Sequence, residues 1–213
     1  GASLNGASDN IGIGYSTLNA LTTGDYNLAI GSNAMLVHTT GVRNIAIGQG
    51  AMDDTDAGST SLGSDDNMFI GYDAGGGTWA DATSQYNVTL GNYTMGAALN
   101  GANNNVAIGY GSAFSLTTSD NNISIGYLAM NVHTTGDRNI AIGTQAMNDT
   151  DAGSNSLGSS DNMFIGYDAG GGTWTNAAAQ YNVGIGNYVM DAAIAGAGYN
   201  TAVGFNSLGA ITS

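Results

Sequence analysis

The sequence predicts an all-β fold: a parallel β-solenoid, or β-roll, of about eleven rungs. Three observations carry this. A five-residue phrase, Asn-apolar-any-apolar-Gly, returns eleven times, at Asn10, Asn27, Asn44, Asn67, Asn87, Asn105, Asn122, Asn139, Asn162, Asn182 and Asn200, with Thr201 in the first apolar place of the last copy. The steps between these Asn residues are 17, 17, 23, 20 and 18, and then the same five numbers again. The composition has 35 Gly and abundant Asn, Ser and Thr, but no Lys, Glu or Pro, which favours strands and turns over helices. A short fixed period decides the architecture, because one unit cannot bury its apolar face alone and must stack on its neighbours.

The five steps add to a superperiod of 95, and residues 27–95 align with 122–190 without a gap, differing at 18 of 69 positions. The chain therefore divides into a first solenoid superrepeat at 1–95, a second at 96–190, and the start of a third at 191–213. Stacked at about 4.8 Å per rung, eleven rungs give a rod of roughly 50 Å.

Each rung follows in order from its residues. Ile45-Ala46-Ile47 alternates with a period of two, which reads as a strand. Gly48 turns a corner, and Gln49-Gly50-Ala51-Met52 reads as a second short strand. The small-then-large ending recurs as Ala34-Met35, Ala113-Phe114 and Ala129-Met130. A polar turn such as His38-Thr39-Thr40-Gly41 brings the chain back. The apolar pair, Ile45 and Ile47, is expected to point into the coil. The recurring Asn is expected to form an internal amide ladder, which requires rungs in register. The residue between the apolar pair is then expected to face outward. It is small in nine rungs, with Phe69 and Phe164 as the exceptions, so the outward stripe is read as a close contact in a homotrimer.

Composition excludes several function classes. Without Cys there is neither a disulfide framework nor a thiolate site. A net charge of −14 disfavours nucleic acid, whose binding requires neutralised phosphates. No apolar run approaches the roughly 20 residues of a membrane span. The chain lacks a starting Met, so it reads as a segment of a longer or processed protein.

Two insertions carry the candidate sites. Asp53, Asp54 and Asp56 recur as Asn148, Asp149 and Asp151; closely spaced carboxylates beside Gly are read as a candidate calcium loop, although the EF-hand pattern is absent. Tyr72-Asp73 leads through a Gly run to Trp79, copied as Tyr167-Asp168 and Trp174. These are read as projecting loops whose aromatic rings and carboxylates bind a glycan, the alternative being Trp folded against the coil. His38 and His133 are candidates for an axial metal or anion site in a trimer. Arg43 and Arg138 are expected to pair with neighbouring Asp. No catalytic constellation emerges, and no cofactor is required.

With the rung in view, the chain resembles the Asn-Thr-Ala-x-Gly-x-x-Ala-Leu…Thr-Thr-Gly repeats of trimeric phage tail fibres. Residues Asn200-Thr201-Ala202-Val203-Gly204-Phe205-Asn206-Ser207-Leu208 carry the match, with the turns Thr22-Thr23-Gly24, Thr39-Thr40-Gly41 and Thr134-Thr135-Gly136. It is also similar to the β-roll heads of trimeric autotransporter adhesins. The resemblance implies an extracellular, elongated homotrimer, part of a virion tail fibre or cell-surface appendage, that meets a cell-surface glycan or protein receptor. Its ends would be covered by flanking domains or by end-to-end stacking. A bacterial surface adhesin or self-assembling filament subunit is the alternative, and a glycan-cleaving spike a third.

Overall fold

The computed structural model describes residues 5–55, 63–79, 82–149, 158–174, 177–192, 194 and 196–209. Every Asn phrase forms a three-residue strand: β1 Ile11–Ile13, β2 Leu28–Ile30, β3 Ile45–Ile47, β4 Met68–Ile70, β5 Val88–Leu90, β6 Val106–Ile108, β7 Ile123–Ile125, β8 Ile140–Ile142, β9 Met163–Ile165, β10 Val183–Ile185 and β11 Thr201–Val203. They pair in chain order as one parallel eleven-stranded sheet. The register is constant, for example Ile45↔Met68, Ala46↔Phe69 and Ile47↔Ile70. Asn44 and Asn139 therefore occupy equivalent places five rungs apart, as the solenoid reading requires.

The Asn ladder sets this register. The backbone N–H and Nδ2 of Asn44 donate to Asn27 Oδ1 at 2.9 and 3.2 Å. Asn44 Oδ1 accepts the same pair of bonds from Asn67, and Asn67 Oδ1 from Asn87. From Asn10 to Asn182 each Nδ2 also crosses the coil to a carbonyl at the end of its own rung, Asn44 to Ser64 at 2.7 Å and Asn122 to Gly136 at 2.8 Å. A slip of one residue would break every bond at once, in a buried column where unmade bonds are costly.

This geometry inverts the expected facing of the strands. A strand alternates sides residue by residue, so the residue two after a buried Asn is also buried. Ala29, Ala46, Phe69, Thr89, Ala107, Ser124, Ala141 and Phe164 point into the coil and are fully buried. Their flanking apolar neighbours, Ile45 and Ile47 among them, lie on the outside, half-buried or exposed. The small residues are thus core, not an intermolecular contact.

The expected second strand does not form. After the strand, a column of glycines such as Gly48, with φ of +139°, turns the chain. A Cβ there would collide with the backbone carbonyl of Gly71 on the next rung. The following residues form turns in which every second one takes positive φ, as at Asn33 and Met35. The buried Met column, Met35, Met52, Met95, Met130, Met147 and Met190, fills the coil beside buried Ala. Ala113, not Phe114, occupies this column: Met95 N–H bonds the Ser112 carbonyl, and Phe114 is turned outward. The expected pairing of Ala113-Phe114 with Ala34-Met35 is shifted by one residue. The vacated Met volume is lined by Ser112 and Ser124, whose hydroxyls bond at 2.7 Å.

The large residues are accommodated by compensation. Phe69 replaces the usual Ala in β4, and Gly75 takes the Met place of that rung. A Cβ on Gly75 would lie 2.6 Å from the Phe69 ring, so the ring fills what Met would occupy. Phe164 and Gly170 repeat the arrangement in β9.

Candidate functional site

Two outer surfaces stand out, one on the sheet and one beyond the glycine corner. The first and third residues of eleven strands give 22 outward positions, of which 21 are apolar and Thr201 is the exception. None is charged. The ladder fixes one strand directly above the next, so these side chains form two continuous apolar columns along the rod. A rung contributes roughly 5 by 10 Å, so the face covers about 500 Å². A patch of this size lies toward the upper end of what a monomer exposes, the range in which such patches often mark interaction sites.

One edge of this face is bounded by the residues preceding each Asn. Here Arg43 binds Asp66 through Nε at 2.6 Å and through a second nitrogen at 2.7 Å. Arg138 repeats the arrangement with Asp161, and Asp137 lies 3.9 Å away. The expected pairing of both Arg residues is present. Each guanidinium, by hydrogen bond and charge, holds its Asp partner below the usual carboxylate range.

The other edge turns at the glycines into an aromatic strip. The rings of Tyr72, Tyr93, Tyr110 and Tyr127 follow one another at centroid spacings of 5.2, 5.5 and 5.6 Å. Desolvation, then the neighbouring Tyr72, raises the pKa of Tyr93. Tyr167, Tyr188 and Phe205 form a second strip at 5.2 and 5.8 Å. A cleft of about 360 Å³ opens beside the first strip, lined by Tyr93, Tyr110, Gly111, Phe114, Leu128 and Asn131.

The expected glycan loops are rearranged. Tyr72 and Tyr167 are each 42% exposed, but Trp79 and Trp174 are only 1% and 2% exposed. The Trp rings lie inside the coil, 5.5 Å from Phe69 and 5.7 Å from Phe164. The Trp79 Nε1–H donates to the Gly75 carbonyl at 3.0 Å, closing the Gly run back on itself. These side chains extend the interior column formed by Leu21, His38, Leu99, Leu116, His133 and Ile194. No ring face of either Trp is open to stack on a ligand. Asp73 and Asp168 sit beside the strips, and burial raises the Asp168 pKa.

His38 and His133 are likewise fully buried in their own coil. His38 Nδ1 lies 2.8 Å from Thr55 Oγ1, and its Nε2 lies 3.1 Å from the Gly41 carbonyl. They hold the turn within one chain, away from the outer sheet face on which an axial site between chains would form.

Of the candidate calcium ligands, Asp56 and Asp151 lie outside the described residues. Among the described residues, Asp53, Asp54 and Asp149 belong to no group of three acidic or imidazole side chains placed to hold a metal ion. Asp54 and Asp149 instead bind the Thr78 and Thr173 hydroxyls. The Asp53 carboxyl is pushed up to about 6 by burial and by the neighbouring Asp73 and Asp54 charges. Among the described residues, no helix is long and apolar enough to cross a membrane.

No protein-family model, curated protein or solved structure matches the chain.

Proposed function

We propose that the chain is a non-catalytic, structural and adhesive segment of an extracellular fibre, assembled as a homotrimer through the outer face of its sheet. The observation that carries this is the apolar, charge-free double column of 21 residues in 22. At about 25 cal/mol per Å², covering some 500 Å² removes roughly 12 kcal/mol of unfavourable hydration per chain. That is comparable to the 4–15 kcal/mol of lost freedom on association, so the face has to be covered along most of its length. A second copy of the chain meets this need, because the rigid ladder gives each copy the same flat spacing. The margin that precedes each Asn also matches the composition of protein interfaces, with Tyr26, Tyr86 and the paired Arg43 and Arg138 beside an apolar centre. The choice of three chains, and of a tail fibre over a bacterial adhesin head, follows the resemblance of the repeats.

The test uses Ile47→Asp together with Ile142→Asp, both on the outer face. These side chains leave the coil untouched, so the variant should retain its β-sheet circular dichroism while its mass by light scattering falls from three chains to one. A wild-type mass of one or two chains, or a folded variant that still has the mass of three, overturns the trimer. Ala46→Arg, by contrast, should prevent folding, since that position is core.

A further inference from the structure

We propose that the strip Tyr72–Tyr93–Tyr110–Tyr127, with the cleft beside it, binds an extended neutral glycan along the side of the rod. This rests on the fibre reading only in that the strip lies around the glycine corner from the face assigned to assembly.

The cleft exists because two columns are interrupted at the same rung. Gly111 stands where neighbouring rungs carry Tyr93 and Leu128, so the floor lacks a side chain. A Cβ on Gly111 would meet Leu128 Cδ2 at 2.7 Å, which would close the floor. Ala113 takes the Met place, and the large residue of that rung, Phe114, is displaced outward by one position. It stands 38% exposed as a wall of the cleft. Opposite are Tyr110, 48% exposed, and Leu128. The Asn131 amide donates to the Gly111 carbonyl at 3.0 Å, which fixes a polar side chain at the cleft and leaves its own carbonyl as an acceptor.

The chemistry fits a sugar chain. A pyranose offers an apolar C–H face to an aromatic ring and hydroxyls to its rim. The strip supplies aromatic rings with phenolic hydroxyls, and the cleft adds the Asn131 amide. The ring spacings of 5.2, 5.5 and 5.6 Å approximate the length of one sugar in an extended chain, so a chain lying along the strip meets about one ring per sugar. The rings are held by adjacent rungs and by each other, so little rotamer freedom remains to be lost on binding.

Charge narrows the class. No cleft residue is charged. Arg43 and Arg138 lie in the column before each Asn, bound to Asp66 and Asp161. With a net charge of −14, the surface repels uronic acids, sialic acids and nucleic acid phosphates. A neutral oligosaccharide avoids that penalty.

The test is a glycan array of neutral hexasaccharides built from glucose, mannose, galactose and N-acetylglucosamine, with oligogalacturonate as the anionic probe. Hits are then followed by calorimetry on the intact chain. The expected result is binding of at least one neutral probe and no binding of oligogalacturonate. Tyr110→Ala and Phe114→Ala should each weaken the hit at least tenfold. Tyr181→Ala, in the separate Tyr181–Tyr199 stack, should leave it unchanged. Absence of any neutral hit, equal binding of oligogalacturonate, or full affinity in Tyr110→Ala and Phe114→Ala overturns the proposal. Light scattering on the same samples separates the two readings: losing the glycan site leaves the trimer mass intact, and losing the trimer leaves the strip able to bind.

Discussion

Replacing Asn44 by Ala tests whether the amide ladder, rather than apolar stacking alone, holds the rungs in register. Asn44 Oδ1 accepts from the Asn67 backbone N–H at 3.0 Å and from Asn67 Nδ2 at 3.2 Å, while Asn44 Nδ2 donates to the Ser64 carbonyl at 2.7 Å. Removing the side chain takes these partners from the Asn67 N–H and the Ser64 carbonyl inside the coil. The Asn67 amide keeps its bond to the Ser84 carbonyl, and Asn27 Oδ1 keeps the Asn44 backbone N–H. Two buried groups without those partners, at about 1–3 kcal/mol each, give an expected loss of about 4 kcal/mol. The same change at Asn10, which is half-buried in the first rung, should cost about 1 kcal/mol, since water can replace its bonds. Denaturant unfolding measures both losses, and hydrogen exchange at the Asn67 amide reports the site even if a stacked rod unfolds in parts. A loss below 1 kcal/mol for Asn44→Ala, with unchanged protection at Asn67, would refute the ladder argument.

Gly75→Ala should destabilise by about 2 kcal/mol or more through contact with the Phe69 ring, and its combination with Phe69→Ala should cost less than the sum of the two single losses in thermal denaturation. Additive losses would show that the ring and the glycine do not share one volume. Asp53 predicts a pH dependence. Its folded pKa of about 6 lies above the ordinary value of 3.8, so its contribution is fully present below pH 3.8 and is lost as pH rises through 6. Screening at this partly exposed group reduces the gain on going from pH 7 to pH 4 to about 1 kcal/mol. Asp66 and Asp161, whose pKa values are lowered, act in the opposite sense and only below the usual carboxylate range. Asp53→Asn, which copies Asn148 of the second superrepeat, should raise the melting temperature at pH 7 and flatten the profile; an unchanged profile refutes the assignment.

Rung number, parallel order, register and the Asn ladder were legible because each follows from the period alone. The facing of the strands was legible too, but through parity rather than hydropathy. Asn44 buried in a ladder forces Ala46 inward and Ile45 and Ile47 outward, whereas the habit of placing large apolar residues inside points the other way. The Gly run before Trp79 resembled a projecting loop. Counting from the rung's Asn instead sets Trp79 twelve residues after Asn67, as Leu99 is twelve after Asn87, which marks an interior position. The aromatic strip was harder to see. Tyr72, Tyr110 and Tyr127 follow the corner glycine directly, but Tyr93 comes one residue later, and only the stacked backbone brings its ring into line. The cleft depends on the outward displacement of Phe114, which a sequence alignment by residue size conceals.

The core and the proposed interface are two results of one constraint. A coil filled by Ala and Met with occasional Phe is narrow, and each rung has only three strand residues. The Asn column occupies one inward place per rung and satisfies itself by pairing with the next, so it needs an unbroken stack. The same alternation then leaves two outward apolar side chains per rung with no partner in the chain. A free-standing rod would gain by placing polar residues there, and polar substitution would leave the ladder intact. Retaining Ile, Val, Leu and Met at 21 of 22 such places makes structural sense when another surface covers them. Register inside the coil thus fixes the spacing outside it. On this argument, disrupting the ladder should weaken assembly even where no outer side chain has changed, whereas disrupting the outer face should leave the ladder protected in hydrogen exchange.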